Sequence, residues 1–552
     1  MYPLQRFLAD YDMAMLRALA QNRGVELTTN RRSEAAAELA TAFLDPLSVR
    51  TALARLSPQG REALDAILSA GGRMRAPQFA RRFGAVRPVG PGKLTREAPW
   101  RNPANATEEL WYGGLIFRAF AQDESGPAEF FFVPDDLRPL LPEPQSGPPT
   151  FAVEVTPPPT QIGTTPLLTH DLFFYLVHVQ THNVRPTAEG QLPLRDREEL
   201  ARRLPHADGR RLALTCHLAR RLEFVVLQEG RLRLQGKAVK GWLTAPPARR
   251  LAVLQEAWRD DPEWNDLCHV PTLLCDEEPG RRNDPPATRR AVLSLLARCP
   301  REEWWSLESF VAAVRDFHPD FQRPDGDYDS WYIRDAKSGE YLSGFESWEQ
   351  VEGALLRDLL TGPLRWLGVV SVADERGHIL CRLTEAGARF LGLLPAEEEE
   401  APPPPPPVIH PDLHIELPSS ADLYTQFQLE RFADRREGSP LRYRLTPRGL
   451  QRALAQGIRV EQIIAFLRQA GDGNVPANVV GVLQTWAERL GQVTLQEVVL
   501  LTTKSERALQ ELLVLPETRH LIGRRLSPTS ALVRKEDLPR LERVLRRLGF
   551  LS

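Results

Sequence analysis

Apolar side chains recur at every third or fourth position through most of the chain, and at every second position only in short runs. The first spacing keeps one face of a helix apolar and the second one face of a strand, so the pattern predicts a mainly α protein with small β elements. Phe7, Met13, Leu16, Leu19 and Ala20 fall at helical spacing, Gly24 closes that run, and Ser33 is placed to cap a second helix reaching Leu44. Ser57-Pro58 opens a helix through Leu68, the hydroxyl serving an orphan amide and the proline being preset for the first turn. Gly71-Gly72 ends it, a shorter helix follows at 76–83, and 115–120 and 129–133 read as alternating strands.

Two later stretches follow a similar order. Residues 167–243 give helices at 168–179 and 197–204, then strands at 223–228 and 231–235 around Glu229-Gly230. Residues 287–394 give helices at 287–297, 307–317 and 348–360, then strands at 366–372 and 379–383. No stretch repeats in sequence, so the expectation is repeated architecture: winged-helix-like modules in series at 48–141, 167–282 and 283–395, an α+β class with helix dominant. Residues 1–47 resemble a SAP-like helical hairpin, a DNA-binding family. Proline-rich 142–166, centred on Pro157, Pro158 and Pro159, reads as a linker. So does 396–407, where Glu397–Glu400 precede six consecutive prolines that favour an extended, semi-rigid backbone. Residues 408–552 begin as a strand at 408–417 and continue with helices at 421–433, 447–455, 460–470 and 477–490.

Composition narrows the function classes. A net charge of -2 and a pI of about 6.6 argue against a chain coated with nucleic acid, so any DNA contact must be a local basic face. Five scattered cysteines without a C-x-x-C pair suit buried thiols in a reducing compartment. No signal-peptide layout opens the chain and no run nears the roughly 18 apolar residues of a membrane helix. The expectation is a cytoplasmic protein with no membrane association.

The motifs of chemistry are missing or incomplete. Gly90-Pro91-Gly92-Lys93 and Gly236-Lys237 lack both the upstream glycine and the following hydroxyl of a phosphate-binding loop. Leu273-Leu274-Cys275-Asp276-Glu277 reads as a strand end before a turn. His178 and His182 share a helix face, but the intervening Val179, Gln180 and Thr181 supply no glutamate and no third ligand is evident, so they read as helix-surface histidines. Asp325, Asp327 and Asp329 open like a calcium loop, yet Ser330 and Ala336 occupy its glycine and glutamate positions. No enzymatic activity, cofactor or metal is expected. Arg75, Gln78, Arg81 and Arg82, on or near the 76–83 helix, are the candidates for DNA contact, with Arg87, Lys93 and Arg96 placed for phosphates.

The C-terminal segment carries more specific signals. His410-Pro411-Asp412-Leu413-His414-Ile415 is followed by Tyr443-Arg444-Leu445-Thr446-Pro447-Arg448-Gly449-Leu450 and Ala453-Leu454-Ala455-Gln456-Gly457-Ile458. Then come Ile463-Ile464-Ala465-Phe466-Leu467, Val475-Pro476-Ala477-Asn478-Val479 and Gly491-Gln492-Val493. This order resembles the N-terminal accessory domain of XPB/Ssl2-type helicases over 408–493. Upstream, Trp111-Tyr112-Gly113-Gly114-Leu115-Ile116-Phe117-Arg118 and Leu383-Thr384-Glu385-Ala386-Gly387 resemble segments of bacterial helicase-associated proteins. In the eukaryotic family the domain is an adaptor that docks on a TFIIH subunit. The resemblance therefore implies binding around a helicase, with the ATPase motor supplied in trans. Val493, Leu495, Val498, Leu500 and Leu501 alternate as a strand that could take a partner edge.

The expected function is a non-enzymatic, helicase-associated adaptor that binds duplex DNA, an XPB-like helicase, or a transcription or repair protein. The alternatives are a winged-helix transcriptional regulator without a helicase link and a metal-dependent enzyme using His178 and His182. Oligomeric state is not legible.

Overall fold

The computed structural model describes residues 3–123, 126–145, 150–162, 167–188, 190–204, 208–275, 283–323, 326–395, 405–418, 421–436, 438, 440–490 and 497–551. It is mainly α with several small antiparallel sheets, as the periodicity predicts. The chain divides into two compact units, Met1–Pro403 with Asp422–Phe427, and Pro404–Ala421 with Gln428–Ser552.

The first unit opens with α1 (Leu4–Asp10), α2 (Met13–Arg23), α3 (Arg32–Phe43) and α4 (Pro46–Arg55). Asp12 and Asp45 cap α2 and α4 by accepting the amides of Met15 and Ser48. Ser33 is no cap, because α3 already starts at Arg32. Next come α5 (Pro58–Ser69), β1 (Arg73–Arg75), α6 (Ala76–Phe83), α7 (Pro91–Glu97), α8 (Ala106–Tyr112), β2 (Phe117–Asp123) and β3 (Gly126–Phe132). Ser57 caps α5 as predicted, its Oγ accepting the Gly60 amide at 3.0 Å. β3 lies between β1 and β2.

The two faces of β3 have different neighbours. Phe131 joins the core of α5, α6 and α8, whereas Phe130 and Phe132 join the core of α1, α2 and α3. A strand covered on both sides needs no polar face, which is why Phe130-Phe131-Phe132-Val133 is an unbroken apolar run rather than an alternation. The N-terminal hairpin therefore packs onto the sheet of the following module. Gly114, at φ +65, lies so close to the Phe43 ring that a β-carbon would collide with it.

The unit continues with β4 (Val155–Thr156), α9 (Leu168–Thr181), α10 (Leu194–Arg203), α11 (Gly209–Arg221), β5 (Val225–Gln228), β6 (Arg231–Leu234), α12 (Gly236–Thr244), α13 (Pro247–Arg259) and β7 (Leu273–Cys275). Then follow α14 (Pro285–Leu296), β8 (Trp304–Ser306), α15 (Leu307–Phe317), β9 (Ile333–Asp335), a π-helical turn at Glu349–Gly353 running into α16 (Ala354–Thr361), α17 (Pro363–Trp366), β10 (Val370–Glu375), β11 (His378–Leu383) and α18 (Glu385–Phe390). The strand expected from 366 starts later because Pro363 opens α17 and Gly368, at φ +65, turns the chain.

One hydrophobic core runs from Leu168 to Ala388, so the two stretches read as separate modules share an interior. α9 sits within it and buries an uninterrupted run from Asp171 to Val179. Two arginines are wholly enclosed. Arg211 pairs with Asp171, and Arg289 pairs with Asp266 at 2.6 Å while donating to the carbonyls of Trp258, Asp261 and Trp264. Such charges survive burial because each guanidinium is paired with a buried carboxylate. The proline-rich stretch is not simply a spacer: β4 pairs with β8, and Phe151 packs edge-on against Phe310 and Phe317. Cys268 and Cys275 form a disulfide, unlike the free thiols expected, while Cys299 and Cys381 are buried.

The second unit begins with β12 (Val408–Ile409) and β13 (His414–Leu417), two strands where one was expected. Pro411 cannot donate to a ladder, and Leu413 adopts φ +71, so 410–413 turns. The His410 amide donates to the His414 carbonyl at 2.8 Å, closing a hairpin. α19 (Leu423–Glu430) follows in the chain, its first residues to Phe427 belonging to the first unit, and then β14 (Ala433–Arg436), β15 (Leu441–Leu445), α20 (Pro447–Ala455), α21 (Val460–Ala470) and α22 (Ala477–Arg489). The sheet order is β12-β13-β15-β14. Its central motif has a plain physical reading. Tyr443 and Leu445 point inward, Thr446 caps α20 through the Gly449 amide at 3.0 Å, and Pro447 takes the first helical position.

The chain ends with β16 (Val498–Thr502), α23 (Glu506–Val514), β17 (Arg525–Ser527), β18 (Ser530–Arg534) and α24 (Leu538–Arg547). β18 lies between β16 and β17.

Candidate nucleic-acid and partner interface

The arginines near α6 are largely engaged within the protein. Arg75 is buried at the end of β1, and Gln78 is half-buried. Arg81 forms an ion pair at 2.6 Å with Asp320, whose side chain is 2% exposed, and lies over the rings of Tyr328 and Phe345. Arg82 pairs with Glu62 at 2.9 Å on the surface. Arg87 reaches the enclosed carboxylate of Glu108 at 2.6 Å. Burial alone would raise the Glu108 carboxyl, but hydrogen bonds from Arg87 and the Ala104 amide outweigh it and hold the group below its ordinary range. Lys93 and Arg96 are exposed, 3.8 Å from Glu97. The helix before the β2–β3 hairpin, α8, buries Ala106, Thr107, Glu108, Leu110, Trp111 and Tyr112, so it has little face left for a DNA groove.

Other cations have no carboxylate partner among the described residues. A groove of about 1120 Å³ is bordered by Arg23, Arg55 and Arg101, together with Asn22, Trp100 and the acidic Glu26, Asp45 and Glu109. Burial, reinforced by neighbouring Arg55, lowers the Arg23 guanidinium to about 10. Sequence reasoning missed this trio because its members lie on separate elements. In the second unit α24 buries Leu541 and Leu545 and exposes Arg540, Arg543, Arg546 and Arg547. Arg547 pairs with Glu517, whereas Arg540, Arg543 and Arg546 have no carboxylate partner among the described residues.

The strand candidates separate by face. In β16, Val498 and Leu500 are exposed, while Leu501 turns inward beside Val499. Only β18 pairs with β16 among the described residues. Val493 and Leu495 lie outside the described residues, as do Asp276, Glu277 and Asp325. Asp327 accepts the amides of Asp329 and Ser330, which makes a tight turn of the acidic run.

The two histidines on α9 differ from the surface pair expected. His178 is buried, with Nε2 2.7 Å from Asp196, and His182 at the helix end lies 3.1 Å from Glu199. Burial lowers the His178 imidazole below its ordinary value against the opposing pull of Asp196. The free thiols Cys216, Cys299 and Cys381 are each pushed up to about 12 by burial, which disfavours the thiolate.

Residues 408–527 match the helicase conserved C-terminal domain. The match runs from β12 to the end of β17, so it covers the hairpin at His410–His414 and the Thr446 cap but not α24. The chain thus carries a helicase-associated domain. No curated protein matches the chain. No helix among the described residues is long and apolar enough to cross a membrane.

Proposed function

We propose that this protein is a non-enzymatic adaptor that binds duplex DNA and serves a helicase motor carried by another polypeptide. The helicase-associated domain at 408–527 carries this reading. Its motif order, like that of XPB-type accessory domains, suits a docking module, and the sequence holds no complete phosphate-binding loop. Charge supports a DNA contact at the arginines of α24 left without carboxylates, rather than on α6. Between 497 and 551 there are eleven Lys and Arg against seven Asp and Glu, a local excess on a chain of net charge -2. The exposed edge of β16 is suited to a partner strand.

The full-length protein is tested by fluorescence anisotropy on a labelled duplex across a salt series, alongside ATP hydrolysis with and without DNA. Binding that weakens steeply with salt and no ATP turnover are expected. DNA-stimulated hydrolysis by homogeneous protein would overturn the non-enzymatic reading, and absence of duplex binding at low salt would overturn the DNA contact.

A winged-helix regulator remains the second reading because of one observation. Residues 58–132 run helix, strand, three helices, strand, strand, and residues 285–383 run helix, strand, helix, strand, two helices, strand, strand; in each, the last strand lies between the strand before it and the strand that follows the first helix. The burial of α8 argues against the first of these modules reading DNA through the helix that precedes its hairpin.

A further inference from the structure

We propose that His178, His182 and Glu199 form a binding site for one divalent transition-metal ion of the zinc class, with Asp196 positioning His178. The site joins the C-terminal end of α9 to α10. One donor atom from each of His178, His182 and Glu199 lies within 4.8 Å of the other two. Two imidazoles and a carboxylate are a donor set that zinc favours, and three protein ligands leave a coordination position for solvent.

Hydrogen bonding around His182 supports metal binding. Its Nδ1 lies 3.2 Å from the His178 carbonyl and 2.9 Å from Thr181 Oγ1. A carbonyl only accepts, and Thr181 already donates its hydroxyl proton to the Val177 carbonyl at 2.8 Å, so Nδ1 carries the ring proton. In the neutral ring Nε2 is then a bare lone pair, and it faces Glu199 Oε1 at 3.1 Å. Two acceptors at that distance repel unless a cation lies between them.

A proton between them would make an ordinary His182–Glu199 ion pair and leave the second ring, its centroid 4.3 Å away, unused. A divalent ion instead uses both rings. It also balances the charges of Glu199 and Asp196, neither of which has an arginine or lysine partner among the described residues. Four ligands at about 2.0–2.1 Å around zinc stand about 3.3 Å apart, so the His182–Glu199 pair need open by only a few tenths of an ångström. Asp196 lies 2.7 Å from His178 Nε2, so His178 would reach the ion through Nδ1, with Asp196 as the carboxylate that orients the ring. His182 and Glu199 are each about one-third exposed, which gives the ion a route in.

A second cluster, His217, Asp261 and Glu263, has a cation nearby, since Arg221 lies 3.9 Å from Asp261. It serves as the control.

Full-length protein is stripped with a chelator, dialysed against zinc and analysed for bound metal. Cobalt(II) is then titrated as a spectroscopic probe, and affinity is read by competition with a zinc-sensitive dye. One zinc per chain is expected, with the visible absorption of few-coordinate cobalt. His182→Ala combined with Glu199→Gln, both partly exposed, should lower affinity at least ~100-fold, and Asp196→Asn ~10–100-fold. His217→Ala should change neither stoichiometry nor affinity. Absence of zinc above the chelator background, or binding undiminished in either the double variant or Asp196→Asn, would overturn the site.

Discussion

α6 and α24 are both short amphipathic helices with arginines on the polar side, yet their guanidiniums have different surroundings. On α6, Arg81 is held by a nearly enclosed carboxylate and two aromatic rings, and Arg82 by Glu62. On α24, Arg540, Arg543 and Arg546 stand exposed with no carboxylate partner among the described residues. A guanidinium already neutralised must give up its partner to take a phosphate; an unpaired one need only release counterions. The position of arginine on a helix therefore says little about nucleic-acid binding until the neighbouring carboxylates are known.

The largest effect that separates the two helices is in folding. Arg81→Ala leaves Asp320 buried without its cation and removes the contacts with Tyr328 and Phe345. A loss of about 3 kcal/mol in unfolding free energy is expected from denaturant titration. Duplex affinity measured on the folded protein should be unaltered. A variant of normal stability that no longer bound DNA would reverse the roles of the two helices.

Next in size is the electrostatic contribution of α24. Arg540→Glu, Arg543→Glu and Arg546→Glu together should weaken duplex binding at least about tenfold and reduce the slope of log affinity against log salt by about 3. Their side chains point away from Leu541 and Leu545, so the thermal midpoint should stay close to that of the parent. An unchanged salt slope would remove α24 from the interface.

Local signals in the sequence foretold much of this architecture. Ser57-Pro58, Gly71-Gly72 and Thr446-Pro447 act through near neighbours, and each helix they announce is present. Long-range partners were not legible. Arg81 and Asp320 are 239 residues apart, and no periodicity connects them. The proline-rich stretch concealed β4 because a two-residue strand has too few positions to show alternation, and its partner Trp305 lies far along the chain. Likewise, His178 and His182 advertise a shared face through their spacing, but Glu199 reaches them only because α10 packs against α9. In the helicase-associated segment the helices were legible, since their caps depend on residues adjacent in the sequence, but the turn that splits the expected strand at 410–413 was not.

The smallest expected effect is the most direct comparison between neighbours. Arg82 follows Arg81 on the same helix, but both it and Glu62 are 59% exposed. Water solvates each charge when the other is lost, so Arg82→Ala should change unfolding free energy by no more than about 0.5 kcal/mol. Duplex affinity should also be unchanged if α6 is not a phosphate contact. Measured beside Arg81→Ala, this variant holds residue type, helix and charge constant and changes the burial of the partner carboxylate and the aromatic rings beneath the guanidinium. Equal losses of stability in the two would mean that the helix itself is sensitive to truncation. A loss confined to Arg81→Ala would assign the difference to Asp320 and the rings around it.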